Sequence, residues 1–294
     1  MANLRDMRLR MRAIQQTLQV TRAMNLISTA KLKKGRHILE DTVPYFTRIE
    51  KSMFDIVSTA HMERNIYLTP SKQEGKTNTA VIVITSDKGL AGGYNANIFH
   101  LVNQLCSGMK RPVLIIIGAI GYRYFVHSPW IIMENFSFKS RLPEMEDAKG
   151  IADYVISQYL WGMFDEVHVV YTHMYSTIKL VPRERQILPL NKEKMQEEFA
   201  HAGGKRAELK FEYWPSKRTV FETLVPMYVK GIIYGALVQS YASEQSARMS
   251  AMDEASKNAE EMLADLRIRY NRVRQSGITQ EITEIAGGAE ALGK

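Results

Sequence analysis

From Met227 to Ala286 a helical pattern runs without a proline for roughly 60 residues, about 90 Å at 1.5 Å of rise per residue. No other feature constrains the fold as much, because an α/β domain that this chain could form is far narrower. Within the pattern Met249, Met252, Ser256, Ala259, Leu263, Leu266, Tyr270 and Val273 recur at 3-4 spacing. That is the narrow seam of a coiled coil rather than a broad core face. Ile278, Ile282 and Ile285 continue an apolar stripe, and Gly287 with Gly288 is expected to end the helix. Pro226 should break or bend it near its start. Gly231 and Gly235, four apart, would let another backbone approach closely. The same spacing serves membrane helix pairs, but Lys230 and the later charges argue against that use.

The other end of the chain carries a matching seam. Leu4, Met7, Met11, Ile14 and Leu18 follow 3-4-3-4 spacing. After Thr21 the apolar positions drift to Met24 and Ile27, with Ala23 and Ala30 close by, as if the partner surface rotated around the helix. The pattern reaches about Thr59, and Pro44 is an expected kink or break. Two long helices with narrow seams pack most simply as an antiparallel coiled coil projecting from whatever lies between them.

What lies between them alternates. The strand-like runs AVIVIT and PVLIIIG flank a helical segment from Asn95 to Met109, and a second helix, Glu144 to Met163, leads into EVHVVYTH. This order predicts βαβ units with a mostly parallel sheet. ERQILPL and ELKFEYW are candidate edge strands, separated by the charged loop NKEKMQEEFAHAGGKRA, and PSKQEGKTN (Pro70 to Asn78) reads as a linker. The expected division is an N-terminal coiled-coil helix over 1–60, an α/β domain over 76–208 and a C-terminal coiled-coil helix over 216–290.

Composition narrows the function classes. One cysteine, Cys106, excludes an intrachain disulfide and suits a reducing compartment. Within NQLCSGM it reads as a small buried hydrophobe. The sixteen methionines suit irregular or shifting contact surfaces. The start MANLRDMRLRMR lacks the apolar core of a secretory signal, and the apolar stretch Pro112 to Tyr122 is too short to span a bilayer. The seven histidines show no spacing that would put two metal ligands on one face. The net charge of +8 is concentrated in Met1–Arg36, where nine basic residues face Asp6 alone. Nucleic acid and an acidic protein surface are both candidate partners for such a strip. A reader of single strands usually adds stacking aromatics, and Met1–Val43 has none.

SDKGLAGGYN, Ser86 to Asn95, follows AVIVIT as a phosphate loop would. A Walker loop needs Lys-Ser/Thr after its last glycine, yet Lys88 precedes Gly89, Gly92 and Gly93. The dinucleotide pattern fails on the same spacing. EGKT (Glu74 to Thr77) holds a GK-Thr triplet, but before a strand, with Pro70 in the place of the first glycine. Both read as turns, with Asp87 and Lys88 a solvated pair, and no catalytic, cofactor or metal site is predicted.

VTRAMNLISTAKLKK (Val20 to Lys34), SDKGLAGGYN, SEQSARMSAMDEASKNAEEM and YNRVRQSGITQEITEIAGGA (the last two within Ser243 to Ala289) together resemble the γ subunit of F-type ATP synthases, in a bacterial form. The family often has a cysteine or another small residue in the glycine turn, where this chain has Ala91. The resemblance implies a Rossmann-like α/β domain inserted between the two helices of a long antiparallel coiled coil. It implies a central rotor shaft coupling the proton-driven c-ring to the catalytic β subunits, with α, β, ε and c subunits as partners and no cofactor of its own. It implies a peripheral place on the cytoplasmic side of the inner membrane. The acidic partner of Arg8, Arg10 and Arg12 would then be the levers of the β subunits, which tips the reading away from nucleic acid. Met24 and Arg248 match positions near those levers, and Gln275, Thr279 and Glu281 match the contact between shaft and sleeve. SDKGLAGGYN, with Lys88, matches a turn that the resemblance places near the underside of the stator ring. If Met24 and Arg248 share a level, paired residue numbers sum to about 272. Met11 would meet Met262 or Leu263, Ile14 would meet Ala259, and the segment beyond Gln275 would project alone. Two rival readings are a nucleotide-binding α/β protein with coiled-coil arms and a coiled-coil scaffold unrelated to rotation.

Overall fold

The computed structural model describes residues 2–59, 65–68, 78–138, 141–191 and 212–292. It divides into two units, one of Met1–Ser28 with Arg248–Lys294 and one of Thr29–Ala247. The two long helices are α1 (Ala2–Thr59) and α5 (Lys217–Leu292). Each runs through its proline, Pro44 in α1 and Pro226 in α5. A proline removes one hydrogen bond from the ladder. Buried neighbours on the same helix, Ile49 and Met53 in one and Val225 and Val229 in the other, hold the segments in place by packing, which overrides propensity. Gly287 and Gly288 do not end α5 either, since it continues to Leu292.

In the larger unit, β1 (Asn78–Ile84), β2 (Arg111–Ile117), β3 (Ile131–Phe136) and β4 (Glu166–Met174) are parallel, and β5 (Leu180–Leu188) pairs antiparallel with β4. The sheet order is β3-β2-β1-β4-β5, so the unbroken apolar run AVIVIT is the central strand. A parallel sheet with both faces covered needs such a run. Successive side chains alternate between the faces. Val81 and Val83 pack with Ile98, Val102 and Cys106 of α2 (Tyr94–Gly108), while Ala80, Ile82 and Ile84 face α4 (Met145–Leu160) and the α1 and α5 segments of this unit. Each fully buried Val or Ile contributes about 1.5–3 kcal/mol relative to exposure. Burial also pushes the Cys106 thiol up to about 11, leaving it an inert core residue.

Local signals set the smaller elements. Glu144 and Asp147 form a capping box at the start of α4. Gly162, at φ 73°, closes its other end, where Met163 N–H donates to Gln158 O and Gly162 N–H to Tyr159 O. Strand β3 and the short helix α3 (Ala119–Phe125) have no counterpart among the predicted elements. Of the candidate edge strands, ERQILPL lies on β5, whereas most of ELKFEYW and of the linker, and nearly all of the charged loop, fall outside the described residues. One apolar window of α5 is long enough to span a bilayer by composition, and more than half of it is buried inside the protein.

The glycine pair on α5 divides its roles. A Cβ at Gly231 would lie 2.2 Å from the Phe46 ring, while one at Gly235 meets nothing within 4 Å. Only the first admits a close neighbour, and that neighbour is a side chain of α1. Gly231→Ala should therefore destabilise the subunit by about 1–3 kcal/mol through overpacking. Gly235→Ala should stabilise it by roughly 0.5–1 kcal/mol through helix propensity. Thermal unfolding of the two variants should give melting temperatures on opposite sides of the parent's; a shift of both in one direction would contradict this assignment.

Candidate functional site

The glycine turn after β1 closes upon itself. Ser86 N–H donates to Asn95 Oδ1 (3.1 Å), Asn95 Nδ2 donates to Ser86 Oγ (2.7 Å), and Ser86 Oγ donates to the Lys88 carbonyl (2.9 Å). Leu90 and Gly92 take positive φ, 62° and 54°, which makes the turn tight enough for these bonds. Asp87, expected to lie in a solvated turn, instead accepts from the Ala119 N–H at the start of α3 and from Ser137 Oγ, both at 3.0 Å. The Asp87 carboxylate is thus engaged by one backbone N–H and one hydroxyl of neighbouring segments and is not free for an added ligand. Next to it Gly118, at φ 101°, and Gly121 press on Thr85, and a Cβ at either would come within 2.5 Å of that residue.

The space left at this end of the sheet is about 40 Å³, lined by Thr85, Asp87, Gly118, Ser240, Tyr241 and Glu244 among others. Small-molecule sites measure about 300–1,000 Å³, so a nucleotide has no room here. The EGKT triplet lies outside the described residues. Among the described residues no group of three or more His, Cys, Asp or Glu side chains could hold a metal ion.

The smaller unit presents a different kind of surface. Its two helical segments pair antiparallel: Asn25 Nδ2 donates to the Met249 carbonyl (3.1 Å), Ser256 Oγ to Thr21 Oγ1 (2.8 Å), and Arg8 Nε to the Tyr270 hydroxyl (2.7 Å). Arg22 and Glu260 form an ion pair across the same two segments. On α5 the seam holds as read: Met252, Ser256, Ala259 and Leu263 are buried, and Met249, Leu266, Tyr270 and Val273 are half-buried.

On α1 the expected drift reaches Met24, which is half-buried, and goes no further. Ile27 is 55 % exposed, whereas Thr21 and Ser28 are 7 % and 1 % exposed, and Ala23 and Ala30 are exposed. The 3-4 rhythm continues, but small polar residues fill it. Thr21 Oγ1 hydrogen bonds to the Leu18 carbonyl as well as to Ser256, so its polarity is satisfied inside the seam. Tracking apolar residues alone therefore turns off the seam at this level.

The register differs too. Arg8 meets Tyr270 where the expected sum would give Ala264, and Thr21 meets Ser256 instead of Ala251. The displacement shrinks to two residues at Asn25, which meets Met249 instead of Ala247. Two seams that repeat every 3.5 residues offer alternative alignments three or four residues apart, and polar pairs such as Thr21 and Ser256 choose among them. Met262, expected opposite Met11, is 57 % exposed and off the seam.

The residues singled out from the sequence fall on this unit with one exception. Arg8, Arg10 and Arg12 are exposed on α1, and Gln275, Thr279 and Glu281 are exposed on α5. Thr279 Oγ1 bonds back to the Gln275 carbonyl (2.9 Å). Met24 is half-buried, and Arg248 is only 8 % exposed. Lys88, the exception, is exposed on the glycine turn of the larger unit. From Ile278 to Gly287 every residue is exposed. Sequence reasoning missed the apolar surface beside the seam, formed by Val20, Leu26 and Ile27 at 57 %, 71 % and 55 % exposure. The usable signal was their mismatch with the heptad once Thr21 and Ser28 are allowed into it.

A family model described as ATP synthase matches residues 3–292. The ATP synthase gamma chain of Acetivibrio thermocellus is 40 % identical over 294 residues, covering 99 % of this chain and 100 % of that one. The sodium ion specific ATP synthase gamma chain of Acetobacterium woodii is 37 % identical, with 99 % of each chain covered. Among solved structures, a chain of the Euglena gracilis mitochondrial ATP synthase (OSCP/F1/c-ring) matches with a TM-score of 0.66 at 16 % identity, covering 99 % of this chain and 95 % of that one. A chain of the Tetrahymena thermophila mitochondrial ATP synthase (central stalk/c-ring) matches with a TM-score of 0.57 at 24 % identity, covering 81 % and 99 %. At those identities the two structures speak to the fold.

Cysteines test the pairing of the seams directly. Thr21→Cys with Ser256→Cys should form a disulfide under mild oxidation, because the two hydroxyls they replace are in contact at 2.8 Å. Thr21→Cys with Ala251→Cys should not. Efficient cross-linking of the second pair and none of the first, read on a non-reducing gel, would restore the register expected from Met24 and Arg248.

Proposed function

Because the chain belongs to the ATP synthase gamma chain family, we propose that it is the central rotor subunit of a proton-translocating ATP synthase. Its α/β unit rides on the membrane c-ring beside the ε subunit. Its helix pair turns within the ring of alternating α and β subunits and drives each β subunit through its open and closed states. The observation that carries this reading is the surface of the helix pair. A narrow seam leaves Val20, Leu26, Ile27, Ile278, Ile282 and Ile285 exposed, with Arg8, Arg10 and Arg12 exposed on the same helix as the first three. Apolar side chains left in water along a helix mark an interaction surface, and a sleeve of other subunits would cover these.

The chain itself is a non-catalytic subunit. A closed glycine turn and a 40 Å³ crevice support that assignment, with nucleotide and magnesium held by the β subunits. It sits peripherally at the cytoplasmic face of the inner membrane, attached through the c-ring. Arg8, Arg10, Arg12 and Met24 face the acidic levers of the β subunits. Gln275, Thr279 and Glu281 line the contact of shaft and sleeve, and Lys88 approaches the underside of the ring. Arg248, at 8 % exposure, acts there by holding the helix pair in shape more than by direct contact. The alternative of a nucleotide-binding protein is opposed by the crevice volume, and micromolar ATP binding to the isolated chain in calorimetry would revive it.

The chain purified from its own cells should bring the α and β subunits with it. Within that complex, Arg10→Glu with Arg12→Glu should lower ATP turnover at least about fivefold, the equivalent of about 1 kcal/mol of lost charge interaction. Lys149→Glu, an exposed lysine of the larger unit, should leave it near the parent value. Equal effects of the two changes would remove the charged strip from the function.

A further inference from the structure

In an open sheet of this strand order, ligands gather outside the carboxyl ends of the strands, at the point where the order reverses. Here that point lies between β1 and β4. The ladder joining them ends at Val83↔Val170, so the peptide groups farther along β4 need other partners. Helix α5 supplies them. Thr172 N–H donates to Ser240 Oγ (3.3 Å) and Met174 N–H to Gln239 Oε1 (3.1 Å). Ser243 Oγ donates to the Thr172 carbonyl (3.1 Å) and Ser246 Oγ to the Thr177 carbonyl (2.7 Å). The three serines are 2 %, 0 % and 0 % exposed, so water does not compete for these bonds. Spaced three apart, they occupy one side of the helix, over about 9 Å of its length.

Apolar packing is non-directional, so core side chains alone define the rotation of a helix about its own axis less sharply than a row of aligned hydrogen bonds does. Hydrogen bonds weaken steeply when misaligned, and a row of them resists that rotation. We propose that Ser240, Ser243 and Ser246 are positioning residues that key α5 to β4 and to the turn that follows it, and carry torque between the α/β unit and the helix. The place where a related fold would hold a ligand is taken by the chain's own helix. The inference rests on the rotor reading, and it adds to that reading the specific bonds through which load enters α5.

The test uses the assembled ATP synthase carrying Ser240→Ala, Ser243→Ala and Ser246→Ala together. With the stator ring immobilised and a probe fixed to the α/β unit, the width of the angular fluctuations gives the torsional stiffness of the rotor. The triple variant should assemble and roughly halve that stiffness, since it removes directional bonds and little packing. Val229→Ala, which removes core packing from the same helix, should lower the melting temperature and leave the stiffness unchanged. Should the triple variant not assemble, the three single variants are read in the same way, each with a smaller loss of stiffness. Unchanged stiffness in serine variants that assemble would overturn the proposal, and so would an equal loss in Val229→Ala. Failure of the parent chain to assemble with α and β subunits would instead overturn the rotor reading on which it rests.

Discussion

The contact on which the larger unit depends is the burial of one sheet face beneath the two long helices. Ile82, Ile115 and Val169 of the sheet share a core with Met53 and Ile56 of α1 and with Phe221, Val225, Val229 and Ile233 of α5. Neither side could be stable alone. A parallel sheet cannot leave a face of Val and Ile to water, and a helix of any length needs its apolar side covered. The sheet therefore serves as a seat for the helices as much as a fold in its own right, and one window of α5 is apolar enough to resemble a membrane span by composition.

That arrangement explains why so little open space remains beside the glycine turn of this βαβ unit. In a sheet of this order the crevice beyond the strands is the natural ligand site. Here Ser240, Tyr241 and Glu244 of α5 line it, and the Asp87 carboxylate accepts from the Ala119 N–H at the start of α3. The glycines are kept for geometry instead. Gly118 and Gly121 let α3 lie against Thr85 at a distance that no Cβ would permit.

In the smaller unit the same economy appears in another form. A single narrow seam joins the helices, and it contains hydroxyls at the Thr21–Ser256 level instead of a continuous apolar row. A buried polar pair contributes little net stability but penalises every register that separates it. The seam therefore trades some affinity for a defined alignment. Its outer faces carry exposed isoleucines and arginines.

What the sequence determined by itself is the architecture and the family: two helices too long for a domain, strand-helix alternation between them, and motifs long enough to be specific. The spacing of residues that point one way is a local property, and it survives without knowledge of the partner. Cys106 as a core residue was legible for the same reason. Register, the course of the seam past Thr21, the division of labour between Gly231 and Gly235, strand β3 and the filled crevice were not. Each depends on which atoms meet across a long sequence separation, and a repeating pattern fits several such meetings almost equally. Only the tertiary structure, by pairing Thr21 with Ser256 and Ser243 with Thr172, selects one. A buried hydroxyl has to find its partner, and an apolar side chain only has to find cover.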